Sequence, residues 1–457
     1  QLTDKTDQLE QKIHKSRLHQ PEWELRLAFS APDTRDKNEP VNVPDKIIKL
    51  IRKPARKRTE SDQMKIDDHF LQTRPEVEKL RQETAELNSR VGKLQPATTL
   101  VMVEMDKPRT TRIFRRGQFL DPADKVEPGV PVVLHPKSSP ANRLGLARWL
   151  VDPTNPLVGR VRVNHLWTNI FGSGLVRTGG DFGTQGEAPS HPELLDWLAA
   201  EFVDSGWSTK HMLKLIVTSA TYQQSSSASP AAQRADPDNI LLSRGPRFRM
   251  SAEMIRDNCL KISGLLNQNM GGPPVYPPQP PGLWRQTGRN EPRYVVATDE
   301  NRFRRGIYVI WRRVAPYPSF VNFDAPDRTR CVVNRPRTNT PIQALTLMND
   351  QAYVEMAQAF AARVLSQVPG NDYHEQIKHA FQSCVAREPS DLETKTLERI
   401  LLDEWTRFER DPGSAEKLLA GVVLPAGVER PENTSLWAAW FCVANILLNL
   451  DETISKE

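Results

Sequence analysis

Nine arginines fall within 36 positions: Arg302, Arg304, Arg305, Arg312, Arg313, Arg328, Arg330, Arg335 and Arg337. Tyr308, Trp311, Tyr317, Phe320 and Phe323 are interleaved with them. A guanidinium is a rigid planar fork of N–H donors. It grips sulfate, phosphate or carboxylate two bonds at a time and stacks on aromatic faces. Such a segment is either an anion-binding face or a set of structural pairs with nearby acidic residues and helix-end carbonyls. The candidate anion ligands are Arg304, Arg305, Arg312, Arg313, Arg328 and Arg335. Within the same stretch, Phe-Asp-Ala-Pro-Asp-Arg sets Asp324 and Asp327 beside Arg328 and Arg330, so ion pairs are expected there. The same carboxylates are candidates for glycoside hydrolysis, whose outcome depends on a separation in space.

A second polar concentration holds His165, Asp181, Glu187, His191, Glu193 and Asp196. Imidazole and carboxylate together suit zinc or iron. Capping explains Ser190 and Glu193, and helix-surface placement explains Asp196, so no metal site is expected. His165, Asp181 and His191, with Asp324, remain a candidate polar cluster. His374-Glu375-Gln376-Ile377-Lys378-His379 looks like a zinc-protease helix, but its histidines are five apart. Helical geometry separates them by about 140°, and the motif needs them four apart on one face. Gly179-Gly180-Asp181-Phe182-Gly183-Thr184-Gln185-Gly186 lacks the strand context of GxGxxG and the Lys-Ser/Thr of a phosphate loop. Its glycines are expected to permit unusual backbone angles in a packed turn. There is no GxSxG elbow.

Composition bounds the rest. A chain of 457 residues with 38% hydrophobic and 26% charged residues is mostly globular, with room for about two to four domains. Its 37 prolines predict long ordered loops. The net charge of +6 and pI near 9.1 describe a mildly basic surface, solvated or anion-binding. Cys259, Cys331, Cys384 and Cys442 form no CxxC and no CxxCH, so c-type haem cannot attach here by the usual motif. Two disulfides or buried free thiols are both open. No residue from 433 to 450 is charged, but the run holds Asn433, Thr434, Ser435, Asn445 and Asn449, and reads as a buried core helix. The chain opens with Gln in helical sequence, as expected of a piece or a processed form of a longer protein.

Helical patterns dominate. Leu2, Leu9 and Ile13 belong to a first helix, and residues 20–60 are Pro-interrupted. The run from Lys46 to Arg58 carries seven basic residues. It reads as a short helix with Ile47, Ile48 and Ile51 inward, or as a polyanion site. Thr73-Arg74-Pro75-Glu76 reads as a capping box, followed by Val77, Leu80, Thr84, Leu87, Val91 and Leu94 in heptad spacing. The period then changes. Residues 100–105 and 110–114 flank Asp106-Lys107-Pro108-Arg109 as a β-hairpin, and 130–134 reads as a short strand. Further on, Leu144, Ala147, Trp149 and Leu150 share a helix. Val163, Leu166, Trp167 and Ile170 form a stripe on the next. Ser190 is expected to start a helix bearing Leu194, Leu195, Leu198 and Phe202. Ser208 starts one with Met212, Leu213, Ile216 and Ala220 inward, and Ser251 one with Ile255, Cys259, Ile262 and Leu266. Residues 273–281 hold six prolines in a loop expected to lie on the core, and 306–311 reads as a buried strand. Thr340-Pro341 opens another helix.

Residues 142–225, beginning NRLGLARWLVDPTNPLVGRVRVNHLW, resemble the opening of Planctomycete-specific domain one. This is a domain of unknown function that follows a cytochrome c module in long exported proteins. The likeness continues through 249–275 (RMSAEMIRDNCLKISGLLNQNMGGPPV), 304–331 (RRGIYVIWRRVAPYPSFVNFDAPDRTRC), 337–357 (RTNTPIQALTLMNDQAYVEMA) and 437–452 (WAAWFCVANILLNLDE), with 99–134 similar to the family's leading segment. The resemblance implies export to the periplasm or cell surface and haem c on an upstream domain outside this chain. It carries over no catalytic residue.

The expected fold is mainly α: a multi-helix globular body with a leading β-hairpin segment and a small buried strand element. Its expected parts are a helical, Pro-interrupted bridge over 1–98 with a short heptad helix, the hairpin over 99–135 and the main helical domain over 136–457, whose apolar stripes from Leu144 to Leu450 are expected to close into one body. The expected function is a non-catalytic scaffold or binding module of an exported cytochrome-c-associated protein. Its partners would be the upstream cytochrome c and linking domains and an anionic polysaccharide. The alternative is a hydrolytic or oxidative polysaccharide-active enzyme using cleft carboxylates around Asp181 or Asp324. Nucleic-acid binding fits the pI but conflicts with export. No cofactor is expected in this chain.

Overall fold

The heptad stripe finds its partners within its own unit. In the computed structural model, which describes residues 2–29, 43–94, 98–103, 105–107, 109–134, 142–287 and 293–456, the chain divides into two units, 1–126 and 127–457. It is mainly α, with two antiparallel two-stranded sheets.

The first unit runs α1 (Leu2–Arg17), α2 (Gln20–Phe29), α3 (Asp45–Arg52), α4 (Glu60–Gln72) and α5 (Pro75–Lys93), then β1 (Thr111–Phe114) and β2 (Pro122–Val126). α5 packs along α1 and α4. Val77, Thr84 and Leu87 are buried, and Leu80 and Val91 half-buried, as heptad spacing dictates. Phe70, Leu71 and Val77 make the core, with Ile13 and Trp23 against them. Leu94 is exposed and drops out of the stripe. The side chain of Leu2 lies outside the described residues, as do residues 30–42 of the Pro-interrupted stretch.

Thr73 does not cap α5. Its hydroxyl donates to the Phe70 carbonyl at 2.7 Å, which closes α4, and Arg74 takes the N-cap position without a side-chain bond. The capping box belongs to α4, between Thr59 and Asp62. The basic run forms α3 with Ile51 buried, and Arg58 turns inward to Glu24 at 2.6 Å.

The hairpin is real but shifted. β1 pairs with the segment after it, Thr111↔Val126 and Phe114↔Pro122, and not with 100–105. The reversal is made through left-handed residues, Arg116 and Gly117. Leu100, Val101, Met102, Val103 and Met105 are exposed without strand pairing, and Glu104 and Pro108 lie outside the described residues.

The second unit contains α6 (Arg143–Leu150), α7 (Val158–Phe171), α8 (Pro192–Asp204), α9 (Thr209–Val217), α10 (Pro230–Ala235), β3 (Phe248–Arg249) and α11 (Ala252–Ser263). It continues with α12 (Pro318–Asn322), α13 (Pro341–Asn349), α14 (Gln351–Gln367), α15 (Tyr373–Val385), α16 (Asp391–Arg410), α17 (Pro412–Leu418), α18 (Thr434–Leu448), α19 (Asp451–Ile454) and β4 (Ser455–Lys456). Just ahead of them, 132–134 is a single 3-10 turn with Val132 and Val133 exposed, not a strand.

The expected helical body is one compact unit over 127–457, and two apolar cores lie within it. The smaller gathers Val163, Leu166, Trp167 and Ile170 of α7, Leu195, Leu198 and Phe202 of α8, and Met212 and Ile216 of α9. The larger is built on α11, α14, α15, α16 and α18. α18 packs on both α14 and α16, and its uncharged sequence follows from burial on nearly every face. Among the described residues no helix is long and apolar enough to cross a membrane. α6, capped by Asn142, leaves Leu144, Leu146 and Leu150 exposed, so the inward stripe begins at α7. Leu213 and Ala220 also face outward.

Residues 306–311 are not a strand. Gly306–Tyr308 is a 3-10 turn and Ile307 is exposed. The Gly306 N–H donates to the Asp257 carboxylate at 2.6 Å, which takes it away from any ladder. What survives of the strand is one parallel bridge, Val275↔Val309. That bridge seats the proline-rich loop on the core, with Val275, Pro277 and Pro278 buried. All four cysteines are free thiols. Burial pushes the Cys259 and Cys442 thiols up to about 12.

Candidate functional site

The arginine-rich segment meets α11. Ser251 accepts from the Met254 N–H and starts that helix. Glu253 and Asp257, one turn apart, then share a face. Arg335 bonds Glu253 at 2.7 Å, Arg328 lies 3.8 Å from the same carboxylate, and Arg305 reaches Asp257 at 3.2 Å. Three guanidiniums thus share two carboxylates. The three arginine side chains remain between 38% and 52% exposed. Burial pushes the Glu253 carboxyl up, but the hydrogen bond from Arg335 and further bonds outweigh it, and the carboxyl stays below its ordinary range. Arg328 holds φ at +62° and lays its guanidinium 5.1 Å from the Trp311 ring centre. A non-glycine residue in that region stores strain of about 1 kcal/mol or more, a feature that concentrates at functional sites.

The other candidate arginines separate. Arg304 is buried, with its guanidinium donating to the carbonyls of Asn269 (3.1 Å), Pro273 (3.3 Å) and Gly271, and lying over the Tyr308 ring at 3.8 Å. It is an internal strut for the 269–273 loop and is not open to an external anion. Arg312 is half-buried over Trp284 at 4.8 Å. Arg313 is exposed. Outside the candidate set, Arg302 pairs with Glu355, and Arg337 donates to the Gly172 carbonyl at 3.0 Å.

The histidine–carboxylate cluster does not assemble as a metal centre. Among the described residues no group of three or more His, Cys, Asp and Glu is placed to hold an ion. His165 is half-buried on α7, its imidazole pushed down by burial and by Arg162. Asp181 accepts from the Gly183 N–H at 2.7 Å within its own turn, and His191 Nδ1 lies 3.0 Å from Ser190 Oγ. Asp324, at φ +62°, accepts from the Thr338 N–H (2.7 Å) and hydroxyl (2.8 Å). Asp327 likewise holds Thr329. The ion pairs expected with Arg328 and Arg330 do not form, because threonine hydroxyls and N–H groups close these turns first and Arg328 goes to Glu253. His374 is exposed, and His379 Nε2 sits 3.0 Å from Gln367.

Ser190 does not cap α8. His191 occupies the N-cap, and the Ser190 hydroxyl donates to the Leu175 carbonyl at 3.3 Å. The Gly-rich turn works by close approach and not by left-handed angles: a Cβ at Gly186 would stand 2.2 Å from the Asp181 carbonyl oxygen. A pocket of about 190 Å³ has Trp167, Phe171, Arg177, Ser190 and Asp238 among its walls. That is below the roughly 300–1,000 Å³ usual for ligand sites. The open row on α11 is therefore the stronger candidate for a polymer.

Two kinds of residue escaped the sequence analysis. Glu253 and Asp257, whose i,i+4 spacing was a readable signal, organise the arginine row. Asn164, fully buried in the apolar stripe of α7, takes the Val176 N–H and gives to the Val176 carbonyl, both at 2.9 Å. A lone amide inside such a stripe was its only signal.

No curated protein and no solved structure matches this chain. The profile of PSD1, described as a protein of unknown function (DUF1553), matches residues 142–401, over half of the chain, and the chain belongs to this family, the planctomycete-specific domain 1.

Proposed function

We propose that this chain is a non-catalytic binding module of an exported, cytochrome-c-associated protein, and that Arg305, Arg328 and Arg335, paired to the carboxylates of α11, receive an anionic polysaccharide. The observation that carries the reading is the excess of half-exposed guanidiniums over carboxylates in that row. Carboxylate or sulfate groups on a polymer would meet donors that Glu253 and Asp257 leave unused. Arg313, exposed nearby in sequence, adds positive field. Export and the haem-bearing partner rest on the family likeness.

The test is retention on immobilised sulfated and uronate-rich polysaccharides. The wild-type chain elutes late and earlier as salt rises, because surface attractions are screened beyond about 10 Å at 0.1 M. The Arg328→Ala/Arg335→Ala double variant elutes markedly earlier while its melting midpoint is unchanged. Salt-independent retention, or equal retention of the variant, sinks the proposal. Equal retention on duplex DNA would make the row a general polyanion site and would remove the polysaccharide reading.

A further inference from the structure

Among the described residues no apolar core includes the β1–β2 hairpin, and from Arg109 to Pro122 every residue is exposed. Backbone bonds gather its tip. The Arg115 N–H donates to the Asp121 carbonyl at 3.0 Å and closes the loop 115–121. Within it the Gln118 N–H returns to the Arg115 carbonyl, and the Asp121 N–H to the Gln118 carbonyl, both at 3.0 Å. Arg116 and Gly117 therefore hold the middle of one turn, and Phe119 and Leu120 the middle of the next. Phe119 and Leu120 are 74% and 81% exposed, and Ile113 and Phe114 below them are about half-exposed. Four arginines lie between Arg109 and Leu120, with no Asp or Glu among them. Arg112 donates to the Ala123 carbonyl at 3.0 Å. Among the described residues no carboxylate pairs with Arg115 or Arg116. Arg116 sits at φ +50°, where a glycine would be unstrained, so a cation is kept at the turn at a conformational cost.

An apolar tip flanked by unpaired cations needs a partner that is oily and negatively charged at once. A soluble polyanion would use the guanidiniums and the phenyl rings, but it offers nothing to Leu120 and Ile113, whose transfer out of water needs an apolar medium. An anionic bilayer supplies both: phosphate headgroups for the arginines and acyl chains for the side chains between them. A two-stranded hairpin with no packed face is marginal in water, so a surface that covers the tip also steadies it. We propose that the tip of the β1–β2 hairpin docks on an anionic lipid surface, with Phe119 and Leu120 entering the headgroup–acyl boundary and Arg115 and Arg116 meeting lipid phosphates. The two signals together make the attachment, since a few apolar groups or a small basic patch alone hold a membrane only weakly. The site is independent of the polysaccharide row at α11 and stands or falls without it.

The experiment is co-sedimentation of the whole chain with vesicles of phosphatidylcholine mixed with phosphatidylglycerol, and with vesicles of phosphatidylcholine alone. The wild type sediments with the mixed vesicles, less as salt rises, and stays in solution with the neutral ones. Arg115→Gln/Arg116→Gln weakens the partitioning about tenfold or more. Phe119→Ser/Leu120→Ser weakens it about tenfold or more with no change in charge. Both pairs are exposed, so the melting midpoint of each variant matches the wild type. Arg328→Ala/Arg335→Ala, which tests the row at α11, leaves vesicle binding unchanged. Four results overturn the proposal. The first is no sedimentation with the mixed vesicles, and the second is equal sedimentation with neutral ones. The third is undiminished binding by Phe119→Ser/Leu120→Ser, which would reduce the tip to a polyanion contact. The last is a wild type that self-associates without lipid and ignores vesicles while that variant is monomeric, which would make the tip a contact between copies of this chain.

Discussion

Two sets of arginines in one short segment do opposite work. Arg305, Arg328 and Arg335 stand half-exposed along α11 and are held by carboxylates. Arg304 is closed inside and is held by main-chain carbonyls. Exposed pairs sit in high dielectric and add little stability, so their value lies in what else they can bind. Carbonyls shut from water have no substitute for the guanidinium that satisfies them. Arginine density in a sequence therefore carries two meanings, and the acceptor type separates them.

Substitutions can break that contrast in graded steps. Arg304→Ala strands three carbonyls of the 269–273 loop and is expected to lower stability by about 3–5 kcal/mol, measured as the urea midpoint and slope. An unchanged midpoint would mean that the loop does not need its strut. Glu355→Gln leaves Arg302 uncompensated in a partly buried site and is expected to lose about 2–3 kcal/mol by the same measurement. Arg335→Ala is expected to change stability by less than about 1 kcal/mol, while polysaccharide retention falls. A large stability loss with unaltered retention would move Arg335 to the structural class.

The smallest effect is in pH. Arg387 joins Glu393 (2.7 Å) and Glu452 (2.8 Å), and it lowers the Glu393 carboxyl from 4.5 to about 2, helped by the Ser390 N–H. The folded value is below the unfolded one, so the contribution is complete above pH 4.5 and fades as pH falls towards 2. These groups are about a third exposed, so the contribution is below about 1 kcal/mol. Arg387→Ala should flatten the stability profile between pH 4.5 and 2, and a profile identical to wild type would remove the pair from the account.

Much of the helical framework was legible because its causes are local. Ser208 and Ser251 cap where a hydroxyl precedes an apolar stripe, and the uncharged α18 is buried as its composition requires. What misled were residues whose partners lie far along the chain. Ser190 serves Leu175, the Gly306 N–H serves Asp257, and both leave the local pattern unfulfilled. In the candidate row, the arginines were visible as a cluster, but their division into strut and surface depended on carbonyls and carboxylates brought together by the fold. The exposed stripe of α6 had the right spacing and no wall to meet.

The profile match ends at residue 401, yet α18 begins beyond it and lies against α14 and α16. The indole of Trp437 hands its N–H to the Gln358 carbonyl at 3.0 Å, and β4 closes on β3 some two hundred residues back. A recombinant piece cut at the family boundary would therefore carry α14 stripped of its companion and β3 without its mate. Such a piece should come out of expression as aggregate, and the smallest autonomous body of this region must reach through Lys456.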